Sequence, residues 1–310
     1  MTAGIRRLTP ADPMGGTFVS RLRSKLDRGM PPVCVGFDPR LDALPDDLLP
    51  QGSPVERIAT FCREVLPAVA PHTPAIKPNV AFFERYGSTG FAAYEDLCQR
   101  ARALDLLVVG DVKRGDIGPT AVAYADIHLD LADAVTLHPF LGRDGVAPFL
   151  ERCQETGGAV FVLVRTSNPS AVELQAERLA DGTEVSELVA ARVHAWGEGL
   201  GPADDYGPVG AVVGATYPRQ LAQLRRAMPR ALILVPGVGA QGATLPDTMA
   251  AFDHEGMGGL VNQSRGILQC FAPTDRNWLA RIAAAAQAFA ADMTGALHTA
   301  REERAREGRA

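Results

Sequence analysis

Eight short apolar runs, each followed by a longer amphipathic stretch, constrain this chain more than any other feature of it. The runs read as strands near 33–38, 74–78, 106–112, 133–137, 159–164, 209–214, 231–236 and 258–262. Helical stretches are predicted over about 54–70, 88–104, 119–131, 143–156, 184–198, 217–228, 242–252 and 274–295. Strands that are apolar along their whole length suit a sheet buried on both faces, and strict strand–helix alternation makes that sheet parallel. Eight such units in order predict an α/β fold of the (β/α)8 TIM-barrel type. At 310 residues the chain is long enough for two domains, but barrels of this kind run to the same size as one. The expected organisation is an extension over 1–16, one catalytic barrel over 17–298, and a charged tail over 299–310. An extra helix at 17–29 closes the barrel bottom, and 165–183 forms a long connection after the fifth strand.

The net charge of -5 disfavours nucleic acid as a partner, because backbone phosphates call for a basic face. The five cysteines are scattered, with no C-x-x-C pair, which fits small buried side chains better than a disulfide framework or a zinc site. No apolar run reaches membrane-spanning length, and Met1 to Gly16 has no apolar signal core. A soluble, cytoplasmic protein without a membrane partner is expected.

The chain holds 31 basic residues, yet its lysines are only Lys25, Lys77 and Lys113. Lysine offers a compact ammonium whose pKa can move enough to transfer a proton, which arginine does not. Chemistry in such barrels sits at the C-terminal strand ends, and Lys77 and Lys113 both fall there, with Asp38 and Asp111. Side chains alternate along a strand, so Leu107, Val109, Asp111 and Lys113 share one face. If the first two fill the barrel, the last two stand at its mouth, with Asp116 in the loop beyond. A carboxylate beside an ammonium favours the charged form of each. Such a cation can neutralise charge developing on a substrate and then deliver a proton to it. A structural ion pair is the plainer reading of one D-x-K, but several charges converging on one rim are costly to desolvate for stability alone.

The segment D-V-K-R-G-D-I-G-P-T-A at 111–121 resembles the D-x-K-R-x-D-I-x-x-T signature of the orotidine 5'-monophosphate decarboxylases. G-F-D-P-R at 36–40, I-K-P-N at 76–79, T-S-N-P-S at 166–170 and P-G-V-G-A-Q-G at 236–242 follow in family order, and F-F-E-R-Y-G resembles the longer bacterial branch. The resemblance implies a cofactor-free and metal-free enzyme that converts orotidine 5'-phosphate to uridine 5'-phosphate and carbon dioxide. It implies a Lys77-Asp111-Lys113-Asp116 array in which Lys113 protonates C6 of the pyrimidine. Asp111 would lie beside the substrate carboxylate, and Asp38 and Lys77 would bind the ribose hydroxyls. It also implies a homodimer with shared sites, in which Asp116, Ile117 and Thr120 serve the partner.

Glycine-rich loops after the seventh and eighth strands are the usual phosphate site of these barrels, since glycines let backbone N–H groups approach an anion. A tight turn is the plainer reading of Gly237, Gly239 and Gly242. The resemblance assigns phosphate binding to Gln241 and Arg265, with backbone help from Ser264, and base contacts to Ser167 and Pro236. Three rivals stand beside this reading. A magnesium-dependent sugar-phosphate decarboxylase of the same superfamily would carry a Glu ligand in place of Lys77. A Schiff-base lyase would use Lys77 or Lys113 as nucleophile. A non-catalytic nucleotide binder would have no need of Lys113 crowded against Asp111.

Overall fold

The computed structural model describes residues 15–48, 52–239 and 242–307. Helix α1 (Phe18–Asp27) leads into strand β1 (Val33–Phe37), α2 (Pro54–Val69), β2 (Ala75–Pro78), α3 (Ala81–Glu84), α4 (Gly87–Ala103) and β3 (Leu107–Arg114). The chain continues through α5 (Gly118–Leu131), β4 (Ala134–Leu137), α6 (Arg143–Thr156), β5 (Ala159–Arg165), α7 (Val172–Gln175) and α8 (Val185–Gly197). It ends with β6 (Val209–Val213), α9 (Pro218–Ala227), β7 (Ile233–Pro236), β8 (Gly259–Gln263), α10 (Arg265–Leu268) and α11 (Trp278–Glu307). All eight strands pair in parallel and in chain order, and β8 closes on β1 through Val33↔Val261 and Cys34↔Asn262. The expected (β/α)8 barrel is the fold.

Strand parity divides the core in two. Val33, Val35, Ile76, Val108, Val135, Val160, Val162, Val213 and Ile233 face outward and pack against the helices. Cys34, Ala75, Leu107, Val109, Ala134, Phe161, Val212, Leu234 and Leu260 fill the barrel. Leu107 and Val109 therefore occupy the interior, as the alternation requires. The extra N-terminal helix plugs the lower end. Phe18 meets Phe161 edge-to-face at 5.9 Å between ring centroids, and Phe18 and Leu22 are fully buried. Thr17 caps this helix by accepting from the Ser20 N–H at 3.2 Å. Lys25 is buried there too, with its Nζ 2.6 Å from Asp105. Two of the three lysines thus stand at the mouth and the third is a structural cation at the floor.

Two elements differ from expectation. The helix predicted over 242–252 is only a 3-10 turn at Pro246–Ala251. Pro246 has no N–H to donate and stands at the first position of the turn, where none is required, although Leu245 before it already has αR backbone angles. The last helix runs past residue 298 to Glu307. His298–Glu302 and Glu302–Arg306 pairs at i,i+4 support that extension. Among the described residues no helix is long and apolar enough to cross a membrane. Cys34, Cys62, Cys98 and Cys153 are buried free thiols and Cys270 is exposed.

His128 of α5 is 2% exposed and stacks on Tyr124, and its buried Nδ1 has no hydrogen-bond partner among the described residues. Burial, aided by the nearby Arg114 charge, lowers its pKa from 6.5 to about 4. The unfolded chain takes up a proton below 6.5 that the folded one refuses until about 4. The stability this group contributes is therefore complete above 6.5 and is lost as the pH falls toward about 4, by about 1.4 kcal/mol per pH unit. Thermal unfolding between pH 7 and pH 5 should accordingly show a steeper acid slope for the native chain than for His128→Phe. Parallel slopes would refute this origin of acid sensitivity.

Candidate active site

Lys77 on β2 and Asp111 and Lys113 on β3 converge at the mouth of the barrel. Lys77 Nζ donates to Asp111 Oδ2 at 2.8 Å, and Lys113 Nζ donates to Asp111 Oδ1 at 2.5 Å. Side-chain exposure is 7% for Lys77, 8% for Asp111 and 46% for Lys113. Burial alone would push the Asp111 carboxyl up, but the two ammoniums outweigh it and hold the group well below the usual carboxylate range. Burial likewise acts to lower the Lys77 ammonium, and the charges of Asp111 and Asp38 overcome it and hold the group above its ordinary value. Asp38 and Asp111 both act on the buried Lys77, so the ammonium left most exposed at the opening is that of Lys113.

A break in the β3–β4 ladder sets this geometry. Gly110 pairs with Val135 and Arg114 pairs with Leu137, so Asp111, Val112 and Lys113 lie opposite Thr136 alone. The extra residues bulge, and Lys113 adopts φ 44°. Among the described residues, Asp105 is the one other non-glycine residue with positive φ. Such a conformation costs about 1–3 kcal/mol and persists only where its surroundings enforce it. Several contacts do so. The buried Thr136 hydroxyl donates to Asp111 Oδ1 at 3.0 Å and accepts from the Lys113 backbone N–H at 3.0 Å. Arg114 donates to the Val112 carbonyl at 2.9 Å, pairs with Glu84, and lies over the Tyr124 ring. The Asp111 carbonyl accepts from the Val80 N–H at 3.3 Å. Gly110 has no room for a side chain, since a Cβ there would stand 2.8 Å from the Tyr94 hydroxyl.

The remaining predicted site residues ring the same opening. Asp38 follows β1, close enough for its charge to act on Lys77, and its buried Oδ1 has no partner among the described residues. Ser167, half-buried, follows β5 and packs on the backbone of Gly214, where a Cβ would meet the Ser167 Cβ at 3.0 Å. Pro236 ends β7 and pairs with Asn262 on β8. Beyond it Gly237, Gly239 and Gly242 all take positive φ, and Gly239 and Ala243 join through an N–H to carbonyl bond of 2.9 Å. Gly242 N–H donates to the Gly239 carbonyl at 2.9 Å, and a Cβ on Gly239 would stand 3.0 Å from Gln263 Nε2 at the end of β8. Ser264 is half-buried and Arg265 exposed. Gln241 lies outside the described residues.

Asp116 stands apart from the Lys77-Asp111-Lys113 cluster. Its Oδ1 accepts from the Ile117 N–H at 2.8 Å, and Ile117 is 54% exposed and Thr120 exposed. The single chain thus brings together three members of the predicted array and leaves the fourth on the rim. Among the described residues no three His, Cys, Asp or Glu side chains come together in a way that could hold a metal ion.

Sequence reasoning missed Thr136 and gave no role to Arg114, within the signature, or to Asn262, at a strand end. Thr136 shares the inward parity of Ala134 in D-A-V-T-L, and a polar side chain on that face was a readable signal. Asn262, likewise inward on β8 and 7% exposed, has a buried Oδ1 with no partner among the described residues. A Cβ on Gly36 of β1 would lie 2.8 Å from the Ser264 Cβ and 3.1 Å from that oxygen, so the neighbouring strand has room only for glycine there.

Residues 31–274 match the Orotidine 5'-phosphate decarboxylase / HUMPS family. The chain is similar to orotidine 5'-phosphate decarboxylase of Rhodopirellula baltica, with 43% identity over 81% of this chain and 88% of the relative. It is 46% identical to that of Deinococcus radiodurans, over 76% of this chain and 83% of the relative. Among solved structures, the OMP decarboxylase of Leishmania donovani superposes with a TM-score of 0.73 at 32% identity, covering 90% of this chain and 98% of the other.

Proposed function

The chain belongs to the orotidine 5'-phosphate decarboxylase family, as a carboxy-lyase that forms uridine 5'-phosphate in pyrimidine biosynthesis, and we propose that Lys113 is its proton donor. The observation that carries this reading is the Lys77-Asp111-Lys113 cluster, with its most exposed ammonium facing the barrel opening.

When the bond from C6 to the carboxylate carbon breaks, carbon dioxide departs and the electron pair stays on C6. Lys113 Nζ gives a proton to that carbon and is reprotonated from solvent. No covalent link to the enzyme is needed, so the protein's task is to oppose growing negative charge at C6 with charges already in place. Fixed charges in a partly dry site cost no reorganisation at the moment of reaction, which makes such preorganisation usually the largest catalytic term. Asp111 orients Lys113 and lies beside the leaving carboxylate. Lys77 and Asp38 hold the ribose hydroxyls. Ser167 and Pro236 contact the base, and Gln241, Ser264 and Arg265 take the phosphate. Binding energy from that remote phosphate can serve the reaction at C6. The chemistry uses no metal or organic cofactor.

Asp116, Ile117 and Thr120 complete the site of a second copy in a homodimer. Ile117, Val122, Phe140 and Leu141 are exposed large apolar side chains. The Asp116 backbone lies beside Leu141 at the start of α6, so a Cβ on Gly145 would meet both within 3.3 Å. An apolar rim around a stranded carboxylate suits a covered surface. Mixing Lys113→Ala with Asp116→Ala subunits tests this. Each variant alone is inactive, and random exchange should restore about one quarter of wild-type activity, because half the dimers are hybrid and each has one intact site. No recovery despite demonstrated exchange would exclude a shared site.

A further inference from the structure

We propose that Thr136 is a positioning residue for the decarboxylation, locking both ends of Lys113 through one hydroxyl. The inference rests on the reading of Lys113 as proton donor. Three observations support it.

First, the hydroxyl occupies a gap in the sheet. The β3 bulge takes the Lys113 N–H out of the ladder, and Thr136 Oγ1 receives it at 3.0 Å. Without that acceptor, a strained backbone at φ 44° would lose a contact that holds it, and the N–H would be left without this partner. Second, the same oxygen has one hydrogen, and it goes to Asp111 Oδ1 at 3.0 Å. That is the oxygen on which Lys113 Nζ rests. The hydroxyl therefore fixes the backbone of Lys113 directly and its ammonium through Asp111. Third, Thr136 is 1% exposed and inward-facing, flanked on β4 by the apolar Val135 and Leu137. A valine would fill the same volume and suit the strand, so packing alone does not call for a hydroxyl.

Thr136 is 1% exposed and its hydroxyl is committed to the Lys113 N–H and to Asp111, so its loss should act on turnover rather than affinity. A catalytic group displaced by about 1 Å can cost about 100-fold in rate.

The test compares Thr136→Val, Thr136→Ala and Thr136→Ser with the native enzyme and with Lys113→Ala, by orotidylate kinetics and by uridine 5'-phosphate binding as a check of folding. Thr136→Val should lower kcat by roughly 30- to 100-fold, with KM and nucleotide affinity within about threefold. Thr136→Ser should recover kcat to within about threefold of the native value, because it restores both hydrogen bonds. If Thr136→Val does not fold, Thr136→Ala should show the same roughly 30- to 100-fold loss of kcat in its place. The proposal is overturned if a hydroxyl-free variant that binds nucleotide keeps native kcat, or if Thr136→Ser is as impaired as Thr136→Val. With Lys113→Ala inactive, either outcome removes Thr136 alone. Turnover retained by Lys113→Ala would remove the proton-donor reading and this inference with it.

Discussion

Lys113→Ala should reduce decarboxylation at least about 10⁴-fold while changing uridine 5'-phosphate affinity by less than about tenfold. Two separate contributions disappear with the ammonium. Proton delivery by a positioned acid is worth about 10²–10⁴-fold, and one preorganised electrostatic partner about 10²–10³-fold. Taken at their lower ends the two multiply to about 10⁴-fold, the size expected for this variant. Stability should change little, because the Lys113 side chain is 46% exposed and its removal leaves Asp111 still paired with Lys77 and hydrogen-bonded to Thr136. Lys113→Arg sharpens the comparison. It keeps a positive charge near the opening but offers a guanidinium that does not release a proton in this pH range. It too should be inactive under the proposed mechanism. Rate measurements on both variants at saturating orotidylate, with nucleotide binding measured alongside, separate lost chemistry from lost binding. Turnover in either variant within tenfold of the native rate would contradict proton donation by Lys113.

The second large effect falls on stability and activity together. Asp111→Asn should lower kcat by at least about 10³-fold and destabilise the fold by about 3–5 kcal/mol, because removing one member of a buried pair strands the other. The stranded member is Lys77, whose side chain is 7% exposed. For a chain of this size the loss corresponds to a fall in Tm of roughly 5–8 °C. Its pH dependence has a definite sign. In the native site the charges of Asp111 and Asp38 hold the Lys77 ammonium above its ordinary value against burial. With the Asp111 charge gone, burial, the largest influence on this group, is opposed by the smaller one of Asp38, and the folded pKa is expected to drop below the unfolded one. The unfolded chain then binds more protons in that window, so part of the lost stability should return as the pH rises. The native enzyme should lack this recovery, since its Asp111 carboxyl lies well below the usual range and Lys77 above its own. Thermal melts of both proteins from pH 6 to pH 9 provide the check. An unchanged Tm and a kcat within tenfold of native would show that Asp111 neither holds the cluster nor serves the reaction.

The barrel was legible because its strands carry apolar side chains on both faces and its helices begin where those runs stop. The 242–252 stretch was expected to be helical from its place after the seventh strand, but it coils only over Pro246–Ala251 and as a 3-10 turn. Asp111 and Lys113 were legible through strand parity, which survives the bulge between them well enough for Lys113 Nζ to reach Asp111. The bulge itself was not. Register depends on which residues of the neighbouring strand pair, and nothing local to 107–114 announces that Thr136 alone faces Asp111, Val112 and Lys113. Thr136 was passed over because threonine is an ordinary strand residue by propensity, and only its inward parity beside Asp111 marks it out. Asp116 shows a different limit. Its place on the rim, bonded to its own Ile117 N–H, is a property of one chain, while the role proposed for it belongs to an assembly of two.

A structure of the enzyme with uridine 5'-phosphate bound measures the central claim most directly, through the separation between Lys113 Nζ and C6 of the pyrimidine. The proposed mechanism requires the two within roughly 3–3.5 Å, the spacing from which a proton can be passed without further rearrangement. A pyrimidine seated elsewhere, with the Lys77-Asp111-Lys113 cluster remote from its C6 edge, would contradict it.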